Sequence, residues 1–145
     1  MRLDNIFDIN GSAMKAQMMR IEVLSSNIAN VNVTRTPEGG PYRRRDVVFE
    51  STPFQKSLER EMQSGKESSA VGVSVKKVIE DQSPFLLKYD PKHPDAGEDG
   101  YVRMPNINIV SEMVNIQAAS KSYEANISVI LTAKNMISKT FEIGR

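Results

Sequence analysis

The chain contains no cysteine, no tryptophan and a single histidine, His93. Without cysteine there can be no disulfide, thiolate zinc site or cysteine nucleophile. One histidine among the scattered carboxylates Asp90, Asp95, Glu98 and Asp99 lacks the paired spacing of metal-ligand sets, so no metal, cofactor or catalytic centre is expected. A serine triad would have to be built on that same His93. Carboxylates are plentiful enough that counting alone does not exclude a glycosidase pair. Charge of one sign is missing too. Nineteen basic residues against 18 acidic ones leave a net charge of +1, with no global pull toward nucleic acid or anionic lipid. No apolar run approaches the ~18 residues of a membrane span. The first residues also lack the apolar stretch of a cleaved secretory signal, so any export is expected to follow another route. Gly39-Gly40 lacks the strand-to-helix setting and the Lys-Ser/Thr pair of a phosphate-binding loop.

What is present is helix periodicity at both ends. Ile109, Ile116, Tyr123, Ile130 and Ile137 recur every seven residues. Met113, Ile127 and Phe141 follow members of that series by four, and Ala119 and Ala133 by three. On a helix these positions form one apolar stripe, the pattern of a seam against another helix. No glycine or proline interrupts 107–143, and Pro105 and Gly144 bracket the segment. A helix from about Asn108 to Ile143 would be roughly 50 Å long at ~1.5 Å per residue. Near the start, Leu3 to about Val31 repeats the pattern with Phe7, Met14, Ile21 and Ile28, widened by Met18, Leu24 and Val31. Asp4 or Asn5 can cap it, and Asp8 suits its first turn. Gly11 costs such a helix about 1 kcal/mol relative to alanine, and marks either a bend, a close contact or simple tolerance.

Between these ends the pattern changes. Asn27, Asn30 and Asn32 cluster where the first helix should end, and asparagine both closes helix ends and tolerates the left-handed turn. Thr36 to Pro41 is a turn cluster. Tyr42 to Glu50 reads as a strand, on which Arg43, Arg44 and Arg45 split between two faces; a solvated or protein-facing patch fits them better than a nucleic-acid site. Val71 to Asp81 reads as a second strand and Phe85 to Tyr89 as a third, making a hairpin or three-stranded sheet too small to stand alone. Residues 51–70 are polar, with a flexible stretch at Ser64 to Ser69 and a possible short helix on Phe54, Leu58 and Met62. The two prolines and two glycines of 90–100 make a loop, and 101–108 lead into the last helix.

The resulting expectation is a mainly α protein with a small β insertion. Residues 1–34 form an N-terminal helix, 35–104 a β-rich insertion with a flexible loop near 51–70, and 105–145 a C-terminal helix. The two helices pair as an antiparallel coiled-coil hairpin. Isolated helices are marginal in water, so the termini are expected to be loosely ordered in a monomer and to fold on assembly with neighbouring chains.

The stretch Ser25-Ser26-Asn27-Ile28-Ala29-Asn30-Val31-Asn32 resembles the N-terminal signature of bacterial flagellar rod and hook axial proteins. Pro105-Asn106-Ile107-Asn108-Ile109-Val110 with Glu112-Met113-Val114, and Ser122-Tyr123-Glu124-Ala125-Asn126, resemble their C-terminal signature. Four features resemble a short proximal-rod member: Asn5 to Ile9 with Gly11-Ser12-Ala13-Met14, the run Thr36 to Arg43, Asp90-Pro91 with His93-Pro94, and the ending Phe141 to Arg145. The resemblance spans about residues 3–50 and 71–145. Lys121 stands where the family often has arginine, and Gly97 where it often has aspartate.

This resemblance implies a structural subunit of the flagellar basal body, a non-enzymatic motility protein. It would leave the cytoplasm by type III export and self-assemble into the periplasmic rod that carries motor torque. Its partners would be itself, other rod subunits and the export apparatus, with neither nucleic acid nor membrane insertion. The assembly interface would comprise Phe7, Met14, Ile21, Asn27, Ile28, Asn30, Asn32, Pro105, Asn106, Asn108, Met113, Ile116, Tyr123, Glu124, Asn126, Ile127, Ile130 and Ile137. Within it, Asn27, Asn30, Asn106 and Asn108 would lock the helices to the β element, since buried amides specify register. The rival readings are another rod or hook component, a peptidoglycan hydrolase, a nucleic-acid binder using Arg43 to Arg45, and an ordinary soluble binding domain.

Overall fold

The computed structural model describes residues 3–51 and 72–143, so the expectations for 52–71 and for a stop at Gly144 lie outside the described residues. The order of elements is α1 (Leu3–Ala29), β1 (Arg45–Ser51), β2 (Val73–Glu80), β3 (Leu86–Tyr89), β4 (Tyr101–Met104) and α2 (Ile109–Ile143). The chain is mainly α, with a small β region between two long helices of 27 and 35 residues.

α2 begins where the sequence places it. Asn108 is the cap: its Oδ1 accepts the Ser111 amide at 3.2 Å and its carbonyl accepts the Glu112 amide at 3.0 Å. α1 is already helical at Leu3, so Asp4 and Asn5 lie inside it rather than before it. It ends after Ala29 through tightening turns, with Asn30 N–H to Ser26 O at 3.1 Å and Val31 N–H to Ile28 O at 3.3 Å.

The helices pack along each other, and the end of α1 meets the start of α2. On α2 one line of buried and half-buried positions runs through Glu112, Ile116, Ala119, Tyr123, Asn126, Ile130, Ala133 and Ile137, alternating steps of four and three, with Asn115, Ser120 and Ile127 half-buried beside it. The seven-residue isoleucine and tyrosine series therefore forms the seam, with Ala119 and Ala133 fully buried. Ile109, Met113 and Phe141 are exposed in the single chain. On α1 the matching series is Ile6, Asn10, Ala13, Gln17, Arg20, Leu24 and Asn27, continued by Val31 just past its end. Phe7, Met14, Ile21 and Ile28 stand one residue further round, half-buried along its flank, and Met18 is 51% exposed. The expected stripe shares Leu24 and Val31 with this series and otherwise runs along its flank, because half of the positions in the series are polar. Among the described residues, Gln17 Oε1 and Arg20 Nε are buried there without a hydrogen-bond partner.

The β region is neither one hairpin nor a three-stranded sheet. β1 pairs antiparallel with β2, from Arg45 opposite Glu80 to Ser51 opposite Val73, with an irregularity between Val48 and Phe49. β3 pairs antiparallel with β4, a strand the sequence did not signal. The break between the two ladders is local. Asp81 Oδ1 accepts both the amide and the hydroxyl of Ser83, at 2.8 and 2.6 Å, and Pro84 follows. β3 then pairs forward with the chain returning from the loop 90–100. That loop is stapled by Asp90 N–H to Gly100 O and by Gly97 N–H to Tyr101 O, both 3.0 Å, and Thr34 Oγ1 donates to Asp95 Oδ2 at 2.7 Å. The β1–β2 ribbon lies on α1, where Ser12 Oγ accepts the Val73 amide at 3.1 Å.

Gly100 has a φ of 75°, and a Cβ there would stand 2.9 Å from Tyr89 Cε2. Gly100→Ala should lower stability by about 1–2 kcal/mol through the left-handed backbone alone, plus the displacement of the Tyr89 ring from its edge-on contact with Tyr101. Urea unfolding against the unmodified chain measures it.

Candidate assembly interface

Where α1 ends and α2 begins, the seam turns polar. Asn27 is fully buried and uses all the hydrogen-bonding capacity of its amide. Nδ2 donates to the Arg45 carbonyl at 2.8 Å and to Glu112 Oε2 at 3.0 Å. Oδ1 accepts the Arg45 amide at 2.9 Å and the Tyr42 hydroxyl at 3.2 Å. One side chain of α1 thus holds both backbone groups of the first residue of β1 and the carboxylate of Glu112 on α2.

Glu112, 1% exposed, is the counterpart on the other helix. Its Oε1 accepts Arg44 Nε at 2.7 Å. A buried carboxylate needs a cation and donors to offset its lost hydration, and Arg44 and Asn27 supply both. Burial pulls the Arg44 guanidinium downward, but the hydrogen bond and charge of Glu112, helped by Asp46 at 3.4 Å, outweigh it and hold the group above its ordinary range. The Arg44 amide donates to Asn106 Oδ1 at 3.3 Å, which joins the segment before α2 to the same clasp. Among the described residues, Asn106 Nδ2 is buried without a hydrogen-bond partner. Pro105 and Ile107 are buried on either side.

The three arginines take separate directions, all toward protein. Arg43 lies over the Phe85 ring, 4.4 Å from its centroid, and donates to the Asp81 carbonyl at 3.1 Å. Arg44 enters the clasp. Arg45 pairs with Glu80 at 3.0 Å and lies over Tyr42. They form no continuous basic surface of the kind that follows a phosphate backbone. His93 Nδ1 accepts the Asp95 amide at 3.1 Å. Among the described residues no three His, Asp or Glu side chains converge to hold a metal, and no helix is long and apolar enough to cross a membrane.

Residues 7–35 match the family described as flagella basal body rod protein, and residues 98–143 match the C-terminal family of the flagellar basal body rod FlgEFG proteins. The flagellar basal-body rod protein FlgC of Salmonella typhimurium is 44% identical over 145 residues, covering the whole of both chains. The FlgC proteins of Borreliella burgdorferi and Bacillus subtilis are 40% and 41% identical, with at least 95% of each chain covered. The chain belongs to the FlgC family of flagellar basal-body rod proteins. FlgC membership makes it a structural component of the flagellar rod, not an enzyme, and implies packing against other rod and basal-body proteins. The two stretches that match the rod families carry the two helices and the Asn27 and Glu112 ends of the clasp.

Within this FlgC-family chain the residues expected at the interface, Asn30 apart, fall into three groups. Asn27, Pro105 and Asn106 meet at the clasp. Ile116, Tyr123, Asn126, Ile130 and Ile137 lie on the α2 seam, with Ile127 half-buried beside it; Phe7, Met14, Ile21 and Ile28 flank the α1 seam. Asn32, Met113, Asn108 and Glu124 face outward. Of the four asparagines expected to lock the junction, two do otherwise. Asn30 Nδ2 donates back to Ser26 O at 2.8 Å, and Asn108 caps its own helix. Glu124 pairs with Lys121 at 2.8 Å on the exposed face. Arg44, Glu112 and Tyr42 were missed as site residues. The one available signal was a carboxylate at position 112, seven residues before Ala119 on the seam.

Proposed function

We propose that the terminal helices form an antiparallel coiled-coil hairpin that packs with the hairpins of neighbouring subunits into the wall of the proximal rod. The observation that carries this is the outer surface of α2. Its inner face is used within the chain, yet Val110, Val114, Leu131 and Met136 stand 70%, 59%, 54% and 54% exposed on its other sides. Large apolar side chains spread along an exposed helix favour burial against further helices. The clasp then acts below that interface. It ties the β region to both helices at one end, so torque carried by the helices reaches the rod surface without a slack joint. Asn27, Pro105 and Asn106 serve as this weld, and the flanking and outward residues Phe7, Met14, Ile21, Ile28, Asn32 and Met113 serve contacts between subunits. The chain reaches the rod through the flagellar type III export apparatus, and the helices gain their full order on assembly.

Val110→Glu and Leu131→Glu test this reading. Both sites are exposed, so the isolated chain should keep its helix content and its unfolding midpoint, within about 0.5 kcal/mol. Swimming of cells in which either variant is the sole copy should be lost. Normal motility would show that this surface of α2 is not buried in the rod.

A further inference from the structure

The chain has ten asparagines. Eight are followed by isoleucine or valine and Asn135 by methionine; Asn10 alone is followed by glycine. The difference decides what the asparagine side chain can do. The amide nitrogen of the next residue can attack Cγ and close a five-membered imide. A β-branched neighbour is stiff and crowds its own amide. Glycine leaves that amide open and the backbone free to turn. Gly11 is exposed, and a Cβ there would meet nothing within 4 Å among the described residues, so solvent reaches the pair and packing does not account for the glycine. The glycine instead weakens the helix in which it stands.

We propose that Asn10 is a site of spontaneous deamidation, with the Gly11 amide as nucleophile and water as co-reactant, open in chains whose first helix has not formed and closed once it has. Gly11 N gives its proton to solvent base and bonds to Asn10 Cγ. The Cγ–Nδ2 bond breaks, and the amide nitrogen takes up a proton and leaves as ammonia. Water then opens the imide. Attack at Cγ gives aspartate; attack at the main-chain carbonyl gives isoaspartate, whose main chain runs through the side chain. One water is consumed and one ammonia released.

The helix closes this route. Asn10 Nδ2 donates to the Ile6 carbonyl at 2.7 Å, which holds the side chain back along the preceding turn. The Gly11 N–H points the same way, toward the carbonyl four residues back, as in any helix interior. Ring closure needs Gly11 N swung toward the Asn10 side chain, away from the helical ψ of about −42°. α1 must therefore open at this turn before the reaction starts. Gly11 favours that opening, and so do Asn10, Gln17 and Arg20, polar where apolar burial would otherwise hold the seam. Asn10 is itself half-buried on the seam. Aspartate would place a charge there. Isoaspartate would add a main-chain carbon, so that Ile6 and Asn10 fall out of step with Ala13 and Gln17. The mark is thus made on copies awaiting assembly, and a marked copy pairs less well along the first turns of α1. That consequence rests on the rod-subunit reading; the chemistry at Asn10 does not.

The test incubates the chain at mildly alkaline pH in three states: in guanidinium chloride, free in buffer, and within isolated basal bodies. Peptide mass spectrometry locates each amide-to-acid exchange, and chromatography separates aspartate from isoaspartate. In guanidinium chloride Asn10 is expected to convert first, with both isomers formed. Asn32 is the control: it is exposed and outside α1, but Val33 follows it, and it should stay an amide in the denaturant and in the free chain. Gly11→Ala should slow conversion of Asn10 several-fold in the denaturant, where its effect on helix stability plays no part. Conversion within basal bodies should be several-fold slower than in the denaturant, with the free chain between. No acid at Asn10 in the denaturant, or equal conversion at Asn32, would overturn the site. Equal rates in the denaturant and in basal bodies would overturn protection by α1. Absence of the chain from basal bodies would instead overturn the rod reading, with the site still decided by the denaturant result.

Discussion

Glu112→Ala is expected to destabilise the chain by about 3–5 kcal/mol, the cost of breaking a buried charge pair by removing one partner. The carboxylate is 2% exposed and the Arg44 side chain 21%, so the guanidinium left behind would be only partly rehydrated. Asn27 Nδ2 would also lose one of its two acceptors. Arg44→Met alone should be similarly harmful, because it leaves the carboxylate buried without its cation. The double variant Arg44→Met with Glu112→Met should be less destabilised than the sum of the single ones, since matched apolar residues leave no uncompensated charge. Urea unfolding of the four chains provides the cycle. Additive effects would mean that the pair is not coupled and that the clasp is ordinary packing.

Asn27 gives the second large effect. Asn27→Ala removes a side chain that satisfies the amide and carbonyl of Arg45, the Tyr42 hydroxyl and Glu112 Oε2. Each buried group left unpaired costs about 1–3 kcal/mol, and partial relaxation should leave a net loss of about 3 kcal/mol. Asn27→Asp is the sharper probe because it keeps the shape. It replaces two donors with acceptors, aimed at the Arg45 carbonyl and at a carboxylate that now lies 3.0 Å away. It should be at least as destabilising as alanine. Adding Glu112→Gln should recover part of the loss, because the glutamine amide can donate where the carboxylate could only accept. If Asn27→Asp unfolds at the same denaturant concentration as the unmodified chain, the four-bond account is wrong.

Much of the architecture was legible because helix periodicity is a local signal. Ile116, Tyr123, Ile130 and Ile137 fix the α2 seam, and Asn108 marks the start of the helix within a residue. The α1 seam was legible only in part, at Leu24 and Val31, because Asn10, Gln17, Arg20 and Asn27 occupy positions where hydrophobicity is the usual guide. The more apolar neighbours Phe7, Met14, Ile21 and Ile28 are half-buried one residue round from it. β4 went unseen because a four-residue strand between a glycine and a proline carries little pattern, and its pairing depends on how the 90–100 loop folds back. Asn27 and Asn106 were marked by their unusual setting. Their partners were not: Arg44 meets Glu112 across 68 residues of chain, and nothing in a run of three arginines says which of them turns inward.

The most direct test of the central claim is quantitative mass spectrometry of basal bodies purified from cells with and without this gene, with electron microscopy of the same particles. The account predicts that the chain is a stoichiometric component of the rod and that particles from cells lacking it have no completed rod. Intact rods in its absence, or rods that do not contain it, would contradict the account.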